Sequence, residues 1–109
     1  MVYLYHWEPN ANSGKPMLTL HGTLDALLPI AVDSDVYAGM VRNTQQYRYY
    51  RVSGGLHVEG IVPNYPGVAR TMLPCYRSAF EAMERWIAGR GAPPPSATLP
   101  YSDSGTCSL

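Results

Sequence analysis

Apolar residues first gather at Met17-Leu18-Thr19-Leu20, a short run without clean polar alternation, as expected for a strand of a parallel sheet covered on both faces. Gly22 then allows a sharp turn. Further on, Val36, Tyr37, Met40 and Val41 recur at helical spacing behind Asp33 or Ser34 as the cap, with Asn43 as the stop, so a crossover helix is predicted. The segment Tyr47-Arg48-Tyr49-Tyr50-Arg51-Val52 is aromatic and alternates in part, which suits a strand with one less buried side, such as an edge. Strand, helix and strand together make one βαβ unit.

Ser53-Gly54-Gly55 interrupts the second strand and bends the chain before His57. Residues 58–73, with Pro63, Pro66 and Gly67, read as a long irregular connection of the kind that carries function or mobility. Pro74 opens a second helix, on which Tyr76, Ala79, Phe80, Met83, Trp86 and Ile87 form one stripe, with Phe80 and Trp86 expected in the core. Gly89 and Gly91 end it, and Pro93-Pro94-Pro95 begins an extended tail with few means of burying itself. The chain thus divides into a loop or linker over 1–16, an α/β portion over 17–90 and a Pro-rich tail over 91–109.

Composition narrows the function. Of the 109 residues 46% are apolar, and 8 basic residues balance 8 acidic ones, so neither disorder nor nucleic-acid binding has a compositional basis. The basic residues are scattered and, Lys15 apart, all arginine, so no stripe tracks phosphates and no nucleic-acid partner is expected. No apolar run approaches the roughly 20 residues that cross a bilayer, and no membrane partner is expected. Cys75 and Cys107 either close a disulfide tying the tail to the second helix, which would favour a secreted or periplasmic setting, or are unrelated thiols.

The chemistry concentrates just past the two strands. His21-Gly22-Thr23-Leu24-Asp25 delivers a carboxylate, and Gly54-Gly55-Leu56-His57 delivers an imidazole. An Asp followed in the chain by a His, each after a strand, is the order of the last two members of a Ser-Asp-His triad on an open α/β sheet. No Gly-x-Ser-x-Gly occurs in the chain. The sixteen residues before Met17 are too few for the strands and helices such an elbow requires, so the chain reads as the C-terminal end of a hydrolase.

From about Lys15 to Thr98 the sequence resembles the end of an α/β-hydrolase serine esterase, either of the tannase and feruloyl esterase type or of the hydroxyalkanoate-oligomer esterase type. The matching residues are His21-Gly22-Thr23-x-Asp25 followed by Pro29, the Gly55-x-His57 turn, and a final helix carrying Trp86 before Gly89 and the prolines. The tannase type usually has Cys near its His, whereas Val58 follows His57 here. The resemblance implies the strand-helix-strand-helix end of a parallel sheet, with Asp25 orienting His57 and His57 deprotonating a serine that this chain does not carry. A carboxylate that holds an imidazole in the useful tautomer is what makes a serine hydroxyl nucleophilic. Tyr65, Val68 and Met72 are candidates to line an acyl or aromatic pocket. The expected partners are a small ester substrate and the N-terminal portion of the same hydrolase, with no cofactor. Alone, the chain is expected to lack esterase activity and, through its open sheet edge, to self-associate or be partly disordered.

Duller roles are assigned nearby: His21 satisfies a structural hydrogen bond at the carboxyl edge of the sheet, and Ser53 is a turn residue. Two rival classes are a metal hydrolase built on His6, His21, Asp25, His57 and Glu59, whose spacings match no zinc pattern, and a small non-catalytic α/β binding or interaction domain.

Overall fold

The computed structural model describes residues 2–3, 15–107 and 109. They form a small α/β domain whose four-stranded sheet runs in the order β1 (Val2–Tyr3), β2 (Met17–Gly22), β3 (Tyr47–Val52) and β4 (Ala97–Leu99). The last three strands are parallel, and β1 adds antiparallel to β2 through Val2 and Tyr3 opposite Leu20 and Thr19. β2 and β3 pair without offset, from Met17 beside Tyr47 to Gly22 beside Val52, so both strands end at the same rim.

Side chains alternate across a strand, and this parity sorts the core into two layers. Leu18, Leu20, Tyr50 and Val52 face α2 (Leu73–Ile87) and pack with Met72, Cys75, Ala79 and Met83. Met17, Tyr47 and Tyr49 face the other way and pack with Tyr37 of the shorter α1 (Ser34–Met40). Coverage from both sides explains why all six residues of β2 are buried although the run contains Thr19 and His21. The α1 side is the more polar. The Tyr47 hydroxyl donates to Thr19 Oγ1 at 3.0 Å, and Asp35 accepts from the Tyr49 hydroxyl at 2.7 Å and from Arg51 Nε at 2.8 Å.

Several sequence expectations need correction. β3 is not an edge, because Ala97–Leu99 of the tail pairs with it. That tail is anchored: Arg48 Nε donates to the Pro93 carbonyl, the Tyr50 hydroxyl to the Pro94 carbonyl, and the Tyr49 N–H to Ser96 Oγ. Cys75 and Cys107 form a disulfide, so of the two open readings the covalent one holds. On α2 the buried line is Cys75, Ala79, Ala82 and Met83, with Trp86 packed at its margin under the Arg48 guanidinium, while Phe80 is 59% exposed. Small residues let the helix settle close to the sheet, and the bulky Phe80 turns outward. α1 stops at Met40, before Asn43, and buries Tyr37 while Val36 and Met40 stay exposed. Two turns of helix present too narrow a face to bury all four apolar residues of the expected stripe. Within the long connection, residues Glu59–Asn64 coil into a 3₁₀ helix.

Candidate active site

The two loops that leave the shared rim are laced together before their polar residues appear. The Thr23 N–H donates to the Val52 carbonyl at 3.0 Å, the Leu24 N–H to the Gly55 carbonyl at 2.9 Å, and the Gly54 N–H to Thr23 Oγ1 at 3.0 Å. Glycine is required on both sides. A Cβ on Gly22 would stand 2.4 Å from the Gly55 carbonyl carbon, and Gly54 has φ +85°, where side chains are strained.

Asp25 sits one turn past β2 with its carboxylate turned inward and its side chain only 1% exposed. Its Oδ1 accepts from the Leu27 N–H at 3.0 Å and the Leu28 N–H at 2.8 Å, closing the loop on itself. His57 arrives from the β3 loop and places Nδ1 2.9 Å from Asp25 Oδ2 and 3.1 Å from Oδ1. Its side chain is one-third exposed, and among the described residues none hydrogen-bonds its Nε2. Burial alone would raise the Asp25 carboxyl, but the Leu28 N–H and the His57 ring favour the charged form and hold it below its ordinary value. A bound carboxylate on Nδ1 leaves Nε2 as the nitrogen able to take up a proton from outside.

Behind this pair lies His21, fully buried on the α1 side of β2. Its Nε2 is 2.8 Å from the Leu28 carbonyl and 3.3 Å from Asp25 Oδ2, and its Nδ1 is 2.6 Å from Ser34 Oγ. Structural hydrogen bonds are therefore present, as the sequence suggested, and they set the ring beside the carboxylate.

Glu59, two residues beyond His57, accepts from the Thr71 hydroxyl and from the Met72 N–H at the start of α2. This fastens the His57 loop to the helix that follows. The isolated parallel bridge between Gly55 and Arg70 fastens it a second time. Arg70, also buried, donates to the carbonyls of Thr71, Pro100, Gly105 and Thr106 and so ties the tail to the same corner. Burial pushes its guanidinium below the ordinary arginine value, with the Glu59 charge opposing that shift. The roles of Glu59 and Arg70 escaped the sequence. The available signal was a single Arg within the otherwise uncharged stretch Val68-Ala69-Arg70-Thr71-Met72, which had to find acceptors once buried.

The chain matches the family model described as 3HB-oligomer hydrolase (3HBOH) over residues 8–102. It belongs to the 3HB-oligomer hydrolase family. Of the two esterase types that the sequence resembles, the match thus lies with the hydroxyalkanoate-oligomer one. The chain is similar to the D-(-)-3-hydroxybutyrate oligomer hydrolase of Albidiferax ferrireducens, with 30% identity over 103 residues that cover 85% of this chain and 14% of that relative. Its likeness to the D-(-)-3-hydroxybutyrate oligomer hydrolase of Cupriavidus necator is 27% over 101 residues, again 85% of this chain and 14% of the relative. The protein of the same name from Polaromonas naphthalenivorans shares 30% over 79 residues, 69% of this chain and 11% of the relative. The chain therefore spans about one-seventh of the length of the first of these relatives. No solved structure matches it significantly.

In this member of the 3HB-oligomer hydrolase family the three candidate pocket residues are not alike. Tyr65 and Val68 are 51% and 58% exposed on the connection after His57, whereas Met72 is buried in the core under α2, against Gly55. Of the alternative metal set, His6 lies outside the described residues. Among the described residues no group of three or more His, Cys, Asp or Glu side chains is placed to hold a metal ion, and no helix is long and apolar enough to cross a membrane.

Proposed function

We propose that this chain is the acid- and base-bearing C-terminal portion of an α/β-hydrolase serine esterase, with Asp25 and His57 as two members of its triad. The observation that carries the proposal is the Asp25–His57 pair, set at the carboxyl ends of two neighbouring parallel strands in a chain of the 3HB-oligomer hydrolase family. In this reading His57 Nε2 accepts the proton of a serine hydroxyl supplied from outside this chain, and Asp25 holds the ring and stabilises its protonated form. The serine oxygen bonds to the ester carbonyl carbon, the C–O bond of the ester breaks, and His57 returns the proton to the departing alkoxide. Water then repeats the sequence to release the acid. The donors that stabilise the oxyanion also come from elsewhere in the protein.

The substrate follows from the relatives' names. Units of 3-hydroxybutyrate are joined through ester bonds, so oligomers of this hydroxy acid are the proposed substrates. Val58, Ile61, Tyr65 and Val68 expose apolar surface on the connection after His57, which suits the methyl-bearing backbone of such an oligomer. Met72 would support this wall from below. Leu27 and Val32 ahead of α1 and Val36 and Met40 on it are also exposed, and the remaining part of the hydrolase would cover them. In its absence the same residues and the sheet edge would favour self-association. The Cys75–Cys107 disulfide suits an oxidising compartment.

Release of 3-hydroxybutyrate from its dimer by the complete hydrolase tests the proposal. His57→Ala should abolish turnover, and Asp25→Asn should slow it by up to about 10⁴-fold through the wrong tautomer, as in the serine-protease precedent. Full turnover in the His57→Ala protein would end this reading. The 109-residue chain by itself should show no nitrophenyl-ester hydrolysis, and turnover that disappears with His57→Ala would overturn the division of labour.

A further inference from the structure

We infer that His21 is a positioning residue for the Asp25–His57 pair, fixing the rotation of the Asp25 carboxylate from behind; the inference rests on the reading of that pair as acid and base. Its ground is the way His21 and Asp25 share one short loop. Leu28 is held on both sides: its N–H donates to Asp25 Oδ1 at 2.8 Å, and its carbonyl lies 2.8 Å from His21 Nε2. A carbonyl only accepts, so His21 Nε2 carries the proton. That N–H is aimed at the Leu28 carbonyl, while Nε2 itself lies 3.3 Å from Asp25 Oδ2, the oxygen that meets His57 Nδ1 at 2.9 Å.

The carboxylate is thereby defined atom by atom. Oδ1 is held by two backbone donors and lies 3.1 Å from His57 Nδ1, and Oδ2 lies between two imidazoles, one fully buried and one facing outward. The buried ring is itself fixed, because its Nδ1 is 2.6 Å from Ser34 Oγ at the first residue of α1. With the proton on Nε2, the Ser34 hydroxyl donates to Nδ1. A line of contacts then runs from the start of α1 through Ser34, His21 and Asp25 to His57. Strand parity explains why position 21 can do this: it shares a face with Met17 and Thr19, the side on which α1 lies, and a one-residue slip would send the ring toward α2. Removing the ring would leave the Leu28 carbonyl without this partner and so loosen the residue whose N–H holds Asp25 Oδ1, while His57 remained in place.

The test compares His21→Gln, His21→Asn and His21→Ala. Glutamine carries an amide N–H out to roughly the Nε2 position, whereas asparagine reaches only as far as Nδ1. In the complete hydrolase, His21→Ala and His21→Asn should lower kcat by about 10- to 100-fold with KM changed less than about twofold, the scale seen when groups behind a reacting residue are lost. His21→Gln should recover most of kcat. A loss shared equally by Gln and Asn, a loss confined to KM, or no loss in Ala and Asn would overturn the inference. A second readout needs no turnover: the proton resonance of His57 Nδ1–H in the 109-residue chain should broaden or vanish in the Asn variant and persist in the Gln variant, with the Leu18 and Leu20 methyl signals unchanged. Should His21→Ala fail to fold, the Gln and Asn pair decides, and identical His57 signals in the two overturn the inference. Turnover that survives His57→Ala would remove the triad reading, while the resonance comparison would still judge the positioning role of His21.

Discussion

The two faces of the sheet do different work. The α2 face is hydrocarbon: Leu18, Leu20, Val52, Ala79 and Met83 interlock, and a disulfide closes it. The α1 face is held by hydroxyls, a carboxylate and an imidazole, through the Tyr47–Thr19, Tyr49–Asp35 and His21–Ser34 contacts. Packed hydrocarbon tolerates small shifts at little cost in direction, whereas hydrogen bonds fix angles. Stability is therefore concentrated under α2, and orientation, including that of Asp25, under α1.

The largest effect should come from the hydrocarbon side. Leu18→Ala removes a fully buried side chain and should cost about 2–5 kcal/mol in denaturant unfolding. A loss below about 1 kcal/mol would mean that α2 is not the main support. Next is the disulfide, whose partners are separated by 32 residues. Chain entropy alone gives about 3–4 kcal/mol for a loop of that size, so replacing both cysteines by alanine should shift the unfolding midpoint markedly. A negligible shift would show that Arg70, through its bonds to the Pro100, Gly105 and Thr106 carbonyls, holds the tail unaided.

This asymmetry also explains what the sequence disclosed. Strand β2, strand β3 and helix α2 were legible because each is mainly an apolar pattern, and the meeting of Asp25 with His57 followed from their places just after two parallel strands. Strand β4 was not legible, since Ala97-Thr98-Leu99 after three prolines carries little pattern and owes its place to the Tyr49 N–H, the Tyr50 hydroxyl and the disulfide. Phe80 was misassigned because helical periodicity gives the direction of a stripe only to within about a residue. Met72 looked like pocket lining because nothing local indicates that the chain turns under Gly55 at that point. The links from His21 to Leu28 and from Glu59 to Thr71 join side chains across loops, which no period encodes.

Acid should act first where the carboxylates hold geometry. Asp25 and Asp35 both lie below the ordinary value of 3.8: burial raises each, but it is outweighed by Leu28 and His57 at Asp25 and by the Tyr49 hydroxyl and Arg51 at Asp35. A depressed carboxyl contributes stability that is complete above pH 3.8 and is lost as pH falls through the lower folded-state value. Unfolding followed downward from pH 3.8 should therefore weaken, and Asp25→Asn should flatten that slope. An unchanged slope in the Asn variant would place the acid response elsewhere.

The smallest and most discriminating comparison sets Tyr47→Phe against Tyr50→Phe, two buried tyrosines on opposite faces, both with hydroxyls pushed up to about 12 by burial. On the α1 face, losing the Tyr47 hydroxyl removes a 3.0 Å bond and leaves the Thr19 hydroxyl without that partner in a dry setting, at a cost of about 0.5–1.5 kcal/mol. On the α2 face the Tyr50 hydroxyl donates to the carbonyl of Pro94, an exposed residue, and water can replace the lost donor, so the cost should be smaller. Thermal unfolding of the two variants side by side orders them. If Tyr50→Phe proves the more damaging, the tail is held chiefly by that hydroxyl, and the division between a hydrocarbon face and a hydrogen-bonded face fails at the strand that completes the sheet.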